Sequence, residues 1–452
     1  MSSSGKGDHR TVVRGRRVVA GPHTSAADIV IEGERIAAIE PYGSVSAQRI
    51  SDAAERLVLP GIVDSHVHTR DPGQTHKEDF YSASMAAARG GVTTIMAMPN
   101  TIPIVDGVEA FDAAADAGQK SIVDFAIEAL AHASSLTSIA KLAERGAVSF
   151  EMFLGGVTDS LATRDRATQK ALFAAVERAD GLMGVYPDDS EVSDQLAAGG
   201  DVRAIMAAHP AEIEAGGLLL AVALACAARC RVHLRQTSAA LTVQVVSQLR
   251  RRSGLLTAEV TPHHLTLTTA DFERFGPEGL IMPPLRGAGD VDALWSALET
   301  GDIATIGTDH SPHHIDEKEA GAEGLRRALP GFPGLETFLG AVLPEWRKRG
   351  LSDQLFARVT AEFPAQLFGV GARKGAIRAG LDADIIIVDD QADDVIDARK
   401  FLSKAKYSAF HGRRTSARVD LTMVRGRVVY HNGAVDTDAQ KGQLLRRVTK
   451  EV

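Results

Sequence analysis

Only two cysteines, two tryptophans and five tyrosines occur in the 452 residues, and aromatic side chains amount to 5% of the chain. A small scaffold stapled by disulfides is thereby excluded. The two cysteines, Cys226 and Cys230, close the apolar run from Gly216 to Ala228, and a spacing of four predicts neighbours on one face of a buried helix. Such a pair is badly placed for a disulfide, so a reducing compartment, the cytoplasm, is expected. No stretch approaches the ~20 apolar residues of a membrane span. The polar start, Met1–Asp8, has no apolar segment behind it that would suit export. Positive charge is not in excess either: 50 Lys and Arg stand against 58 Asp and Glu, for a net charge of -8. Basic residues are scattered, which leaves no footprint for nucleic acid or an anionic membrane. Small molecules are the expected partners.

What is present is ordinary globular material, 44% hydrophobic and 24% charged, enough for a large core or for two units. The first sixty residues alternate short β-branched runs with turn residues: Thr11–Val13, Arg17–Ala20, Asp28–Glu32, Arg35–Ile39 and Leu57–Leu59. The last eighty repeat that texture in Asp384–Val388 and Leu421–Tyr430. Neither end has enough strands for a core of its own, so a composite β-domain, a small β-sandwich from 1–58 plus 375–452, is expected. Between them, over 59–374, strand-like segments alternate with helical ones. Examples are Gly91–Met96 after Ser82–Arg89, Met183–Tyr186 after Thr168–Arg178, and Arg231–Leu234 after Gly216–Ala228. That repetition predicts an α/β fold, a (β/α)₈ barrel of the TIM type, with its active site at the carboxyl ends of the strands.

The strongest local signal is Leu59-Pro-Gly-Ile-Val-Asp-Ser-His-Val-His-Thr-Arg-Asp-Pro-Gly73. On a strand, His66 and His68 project to one face and can hold a divalent cation. A second cluster, Ile306-Gly-Thr-Asp-His-Ser-Pro-His-His-Ile315, follows the last strand-like segment of the barrel region. Asp309 there can ligate the metal and exchange a proton with water, or simply cap the next helix. A closed barrel makes its first and last strands neighbours, so convergence of the two clusters is expected.

With these motifs in view the chain resembles the cyclic amidohydrolases of the amidohydrolase superfamily, dihydroorotases more than allantoinases or hydantoinases. The resemblance spans nearly the whole chain. It includes Met98-Pro-Asn-Thr101, Thr261-Pro-His-His-Leu265, Pro283-Pro-Leu-Arg286, Thr308–His313, Gly331–Thr337, Lys374–Asp384 and Met423–Tyr430. It implies that His66 and His68 are paired metal ligands and that Asp309 is both ligand and catalytic acid–base. It further implies that Arg70, helped by Asn100 and His313, holds a substrate carboxylate. The activity implied is reversible hydrolysis of dihydroorotate to N-carbamoyl-L-aspartate in pyrimidine biosynthesis. A homo-oligomer, dimer or tetramer, and contact with aspartate carbamoyltransferase are implied as well.

Three positions break the family pattern. Glu151 stands where a carboxylated lysine is common, Tyr186 where a histidine follows the next strand, and Arg235 where another histidine precedes a Ser-Thr turn. Tyr186 and Arg235 replace ligands of the second metal, so a mononuclear site is expected, one zinc per chain, with Glu151 as a fourth ligand. Arg235 would fill part of the vacated space or neutralise a nearby carboxylate, and His233, two residues earlier, would contribute only in a shifted register. Met282 replaces an asparagine found before Pro-Pro-Leu-Arg. These changes leave two other expectations open: hydrolysis of another carboxylated lactam, imide, hydantoin or allantoin, and a catalytically silent scaffolding subunit.

Overall fold

Val92–Ala97 reads Val-Thr-Thr-Ile-Met-Ala and is buried at every residue, as are Ile62–Val67 and Leu182–Tyr186. Strands buried on both faces need a second layer, and parallel neighbours need helical crossovers. The computed structural model, which describes residues 10–155, 160–188, 202–320, 328–438 and 441–448, supplies both. One parallel sheet runs Ile62–Val67, Val92–Ala97, Asp124–Ile127; another runs from Ala129–Leu130 through Phe150–Phe153, Leu182–Tyr186, Arg231–Leu234 and Leu256–Val260 to Thr305–Ile306. Glu128 joins the two sheets by interrupting what is otherwise one strand. Its N–H bonds to Ala97 O at 3.0 Å, and the next N–H, that of Ala129, bonds to Ser149 O at 3.0 Å. Val67 pairs with His310, and His68 N–H donates to His310 O at 2.8 Å. The ring is thus closed with eight strand positions, and its first and last strands are neighbours. Amphipathic helices such as Phe80–Gly90, Arg166–Arg178 and Ala240–Ser253 cover the outside.

The chain ends meet in one nine-stranded sheet. Its central seam pairs Leu57–Pro60 antiparallel with Ile385–Asp389, flanked by Arg10–Val19 on one side and Arg418–Val424 on the other. The expected strand Leu421–Tyr430 is instead a hairpin. Arg425 and Gly426, at φ 46° and 76°, turn it between Val424 and Arg427, the two-residue geometry that twisted strands favour. Leu57–Pro60 stays in this sheet to its last residue, so we propose unit boundaries near Gly61 and Lys374. The last described residues do not belong with the sheet. Gly442 and Leu445 bond to the Ser121 and Phe125 carbonyls at 2.7 Å each, and Leu445 packs with Phe368, Val63, Met96 and Ala126. Lys374 locks the two units together: wholly buried, it pairs with Asp124 on a barrel strand and with Asp384 at 2.7 Å and Asp382 at 3.1 Å beside the sheet.

Two expectations from the apolar run need correction. Cys226 lies on the helix Ala211–Ala228 but is exposed, and Cys230 is buried beyond its end. Arg229, at φ 60°, terminates the helix between them. The segment Ala204–Ala228, with mean hydropathy 1.7, is also long and apolar enough by composition to pass for a membrane span. In the fold it is broken at His209 and Pro210, and its longer part, Ala211–Ala228, packs as an outer barrel helix through Ile213, Leu218, Ala221 and Ala225, with Glu214 turned inward to Ser238.

Candidate active site

The strand carrying His66 and His68 points both imidazoles into the mouth of the barrel, and each ring is fixed through Nδ1. His66 Nδ1 lies 2.8 Å from Glu259 Oε1, and His68 Nδ1 lies 2.7 Å from Asn100 Oδ1. Oxygen acceptors place the proton on Nδ1 and turn the Nε2 lone pairs toward a common point. Asp309 Oδ1 stands at that point, 3.4 Å from His66 Nε2 and 3.1 Å from His68 Nε2. The three donor atoms lie within 4.8 Å of one another, the one such cluster among the described residues. Two nitrogens and a carboxylate oxygen, all buried, suit a divalent ion with a coordination position left open. Burial opposes charge here, yet Glu259 and Asp309 raise the His66 pKa. They draw positive charge, proton or metal, onto that ring. Burial also works against ionised Asp309, but the two histidines outweigh it and hold its pKa below the ordinary value.

The backbone that presents these groups is unusual. Arg70, Gln236 and Asp309 all have left-handed φ, at 58°, 49° and 46°, a conformation that costs energy for non-glycine residues and gathers at working sites. Asp64 secures the junction: its carboxylate accepts from His66 N at 3.2 Å, Thr308 N at 3.0 Å and Thr308 Oγ1 at 2.6 Å. Gln236, which the sequence did not single out, donates its amide to Asp309 Oδ2.

Glu151 falls outside the cluster of donors. Both of its oxygens face Arg235, Oε1 at 2.7 Å from Nη2 and Oε2 at 3.0 Å from Nε, and Oε1 also accepts from Ser149 at 2.7 Å. Glu151, expected as a fourth ligand, is thus placed in an ion pair with Arg235 and not beside His66, His68 and Asp309. Arg235 further donates to Glu128 at 2.8 Å, Glu259 at 3.1 Å and Ser65 O at 2.8 Å. Five N–H groups meet five acceptors, so this guanidinium is saturated. Burial alone would depress its pKa, but the three carboxylates raise it well above the usual value. Burial raises Glu128, more than Arg235 lowers it, whereas Arg235 overcomes burial at Glu151 and Glu259 and keeps both ionised. Glu128 and Glu259 were missed in the sequence, although each is a lone acid in an apolar run, a recognisable sign of a buried partner. His233 is bonded to Thr257 Oγ1 at 2.8 Å, with Nε2 3.7 Å from Glu259, and lies outside the cluster of His66, His68 and Asp309.

Arg70 is the opposite case. It is 6% exposed, with Nη2 donating to Ser311 Oγ at 2.7 Å and Nε to Pro312 O at 3.2 Å, and among the described residues no carboxylate pairs with it. Burial lowers its pKa to about 10, which leaves it charged at neutral pH. His313 Nε2 lies 3.2 Å from Arg70 Nη2 and 3.0 Å from Pro330 O. One tautomer satisfies the first contact and the other the second. Burial and the neighbouring cations Arg70, Lys77 and Lys318 keep the ring neutral. Asn100, expected to assist at the carboxylate, spends its oxygen on His68 instead and has only its amide N–H groups to offer. Arg70, Asn100 and His313 line one cavity together with His66, His68 and Asp309, and Met98, Phe153, Leu161 and Met282 form its apolar wall. Part of the loop after His313, residues 321–327, falls outside the described residues.

The amidohydrolase family profile matches residues 57–429. An L-hydantoinase from Paenarthrobacter aurescens is 34% identical over 450 residues, covering 96% of this chain and 98% of that one. A dihydroorotase from Methanosarcina acetivorans is 31% identical over 450 residues, covering 96% and 94%. Among solved structures, an L-hydantoinase (dihydropyrimidinase) from Arthrobacter aurescens superposes with a TM-score of 0.93 at 33% identity, covering 97% of this chain and 99% of that one.

Proposed function

The chain belongs to the amidohydrolase family of metal-dependent cyclic amide hydrolases, and from that premise we propose that it opens and closes a six-membered ring bearing a carboxylate, dihydroorotate and N-carbamoyl-L-aspartate being the first pair to test. The observation that carries this reading is Arg70, a buried guanidinium at the mouth of the candidate site with which no carboxylate pairs among the described residues. An unpaired buried cation is costly. A substrate carboxylate would supply the missing charge through planar, two-point pairing.

His66, His68 and Asp309 would hold the ion, zinc being the first choice. When bound, the ion supplies Lewis acidity, which polarises the ring carbonyl and brings the pKa of water from 15.7 to about 7. Asp309, ionised at neutral pH, takes the proton released as water attacks and returns it to the ring nitrogen as the C–N bond breaks. Gln236, bonded to Oδ2, keeps that carboxylate in place. Glu259 and Asn100 orient the two imidazoles. Arg70 anchors the carboxylate so that the scissile amide faces Asp309, and His313 and the Asn100 amide flank it.

The apolar wall of Met98, Phe153, Leu161 and Met282 favours a second reading, a hydantoin with an apolar substituent. Purified enzyme with its ion would be assayed on dihydroorotate, dihydrouracil, allantoin and 5-substituted hydantoins. The first reading expects dihydroorotate to lead. Faster turnover of uncharged rings would replace it with the second.

A further inference from the structure

Arg235 stands where the resemblance expects a metal-binding histidine, yet it has no N–H left for a substrate, since Glu128, Glu151, Glu259 and Ser65 O take all five. Tyr186 stands at the other such position, at the end of Leu182–Tyr186, and its circumstances are the reverse. The residue is 4% exposed and its hydroxyl has no hydrogen-bond partner among the described residues. The side chain lines the cavity that holds His66, His68 and Asp309, and its ring rests against Phe153, with centroids 6.2 Å apart. A buried hydroxyl is rarely left unbonded, and an exception calls for a reason.

We propose that Tyr186 is a catalytic residue whose Oη–H donates to the carbonyl oxygen of the ring amide as that oxygen takes on negative charge, a role that rests on the ring-hydrolysis reading. As the water oxygen adds to the carbonyl carbon, one water proton passes to Asp309 and the C=O π pair moves onto the oxygen held by Tyr186. The carbonyl then re-forms, the C–N pair leaves with nitrogen, and Asp309 returns the proton to it. Water is thus divided between the new carboxyl and the freed nitrogen, and Tyr186 keeps its own proton throughout. Burial, with Asp188 and Asp309 nearby, pushes the phenol well up, so it remains a neutral donor through the working range. A donor aimed at the developing charge is worth more in the transition state than in the ground state.

The test is Tyr186→Phe, which keeps the ring and removes the hydroxyl. With wild-type enzyme active on dihydroorotate or a hydantoin, the variant should lose about a hundred- to a thousandfold in kcat, with KM within about threefold and an unchanged metal content. Its ion-free form should melt at or above the wild-type temperature, because an unsatisfied buried group has been removed. A kcat within about threefold of wild type, or a clear fall in melting temperature, would overturn the proposal and leave the hydrolase reading intact. Wild-type enzyme inactive on every ring would instead remove the reaction, and the role of Tyr186 with it.

Discussion

Replacing Arg70 by lysine keeps the charge but loses the fork. In the structure Nη2 is held by Ser311 and Nε by Pro312 O, so the guanidinium plane is fixed before any ligand arrives. A carboxylate meeting it would gain two parallel charge-assisted bonds, each worth about 1.5–3 kcal/mol. A lysine ammonium on a flexible stem recovers one of them at best. The expected loss is therefore about 1.5–3 kcal/mol in kcat/KM for dihydroorotate, or roughly ten- to a hundredfold at 1.4 kcal/mol per decade. Dihydrouracil has the same ring without the carboxylate, and its turnover, slow in both enzymes, should barely change. Dividing the wild-type preference by the variant preference isolates the coupling between arginine and carboxylate, as a double-mutant cycle does. Loss of ring-amide absorbance gives both rates in one assay. The companion variant Arg70→Met should be less active still and yet more resistant to urea, because it removes a buried cation that pairs with no carboxylate among the described residues. Equal preference in parent and Arg70→Lys, or destabilisation of Arg70→Met, would refute the claim that this side chain awaits an anion.

Elemental analysis should return one tightly bound divalent ion per chain, and His66→Ala should lose it; two ions, or metal retained by the variant, would contradict the ligand set of His66, His68 and Asp309. Arg235→Met leaves Glu128, Glu151 and Glu259 facing one another without their cation, at a cost of about 3–5 kcal/mol. Its urea midpoint should fall and partly recover with added zinc, and an unaffected midpoint would show that the cation is dispensable. Lys374→Met leaves Asp124 with Arg425 and Asp382 with Arg373 but takes from buried Asp384 its ion-pair partner at the junction of barrel and sheet, again at about 3–5 kcal/mol. Early protease cleavage between the two units should accompany the loss, and wild-type resistance would count against the junction.

The barrel was legible because its strands are short runs rich in apolar and β-branched residues, separated by amphipathic helices, a pattern that follows from burial on both faces. His66, His68 and Asp309 were legible through strand alternation and barrel closure, and the structure brings all three together. The cage around Arg235 was not, for a physical reason. Glu128 lies between Asp124–Ile127 and Ala129–Leu130, Glu151 in Phe150–Phe153 and Glu259 in Leu256–Val260, and nothing local in a sequence says which neighbours a barrel will bring side by side. Gln236 left no signal at all, since a left-handed backbone for a glutamine is imposed by the tertiary fold. The tail after 440 was assigned to the sheet by its position near the chain end, whereas Gly442 and Leu445 are held by barrel carbonyls. Burial of the barrel floor by Leu445 and Phe368 decides the matter.

The departures from the family pattern belong together. A lysine at 151, unless carboxylated, would set a cation beside Arg235, and a histidine at 235 would leave Glu128, Glu151 and Glu259 without a permanent counter-charge. Glutamate at 151 and arginine at 235 resolve both problems at once, because a guanidinium reaches all three acids and does not dissociate. The backbone has room for this arrangement. A Cβ at Gly184, which is in register with Glu151, would come within 2.1 Å of the Glu151 carboxylate oxygens. One at Gly307 would lie 2.6 Å from Glu259 Oε2 and 3.0 Å from His66 Cβ. Glycine at both places lets two carboxylates stand inside a closed barrel wall. The same wall holds His66 through Glu259, so the charge of the cage and the orientation of a metal ligand depend on one side chain. Three carboxylates thus share one guanidinium, while His66, His68 and Asp309 keep a cluster of their own.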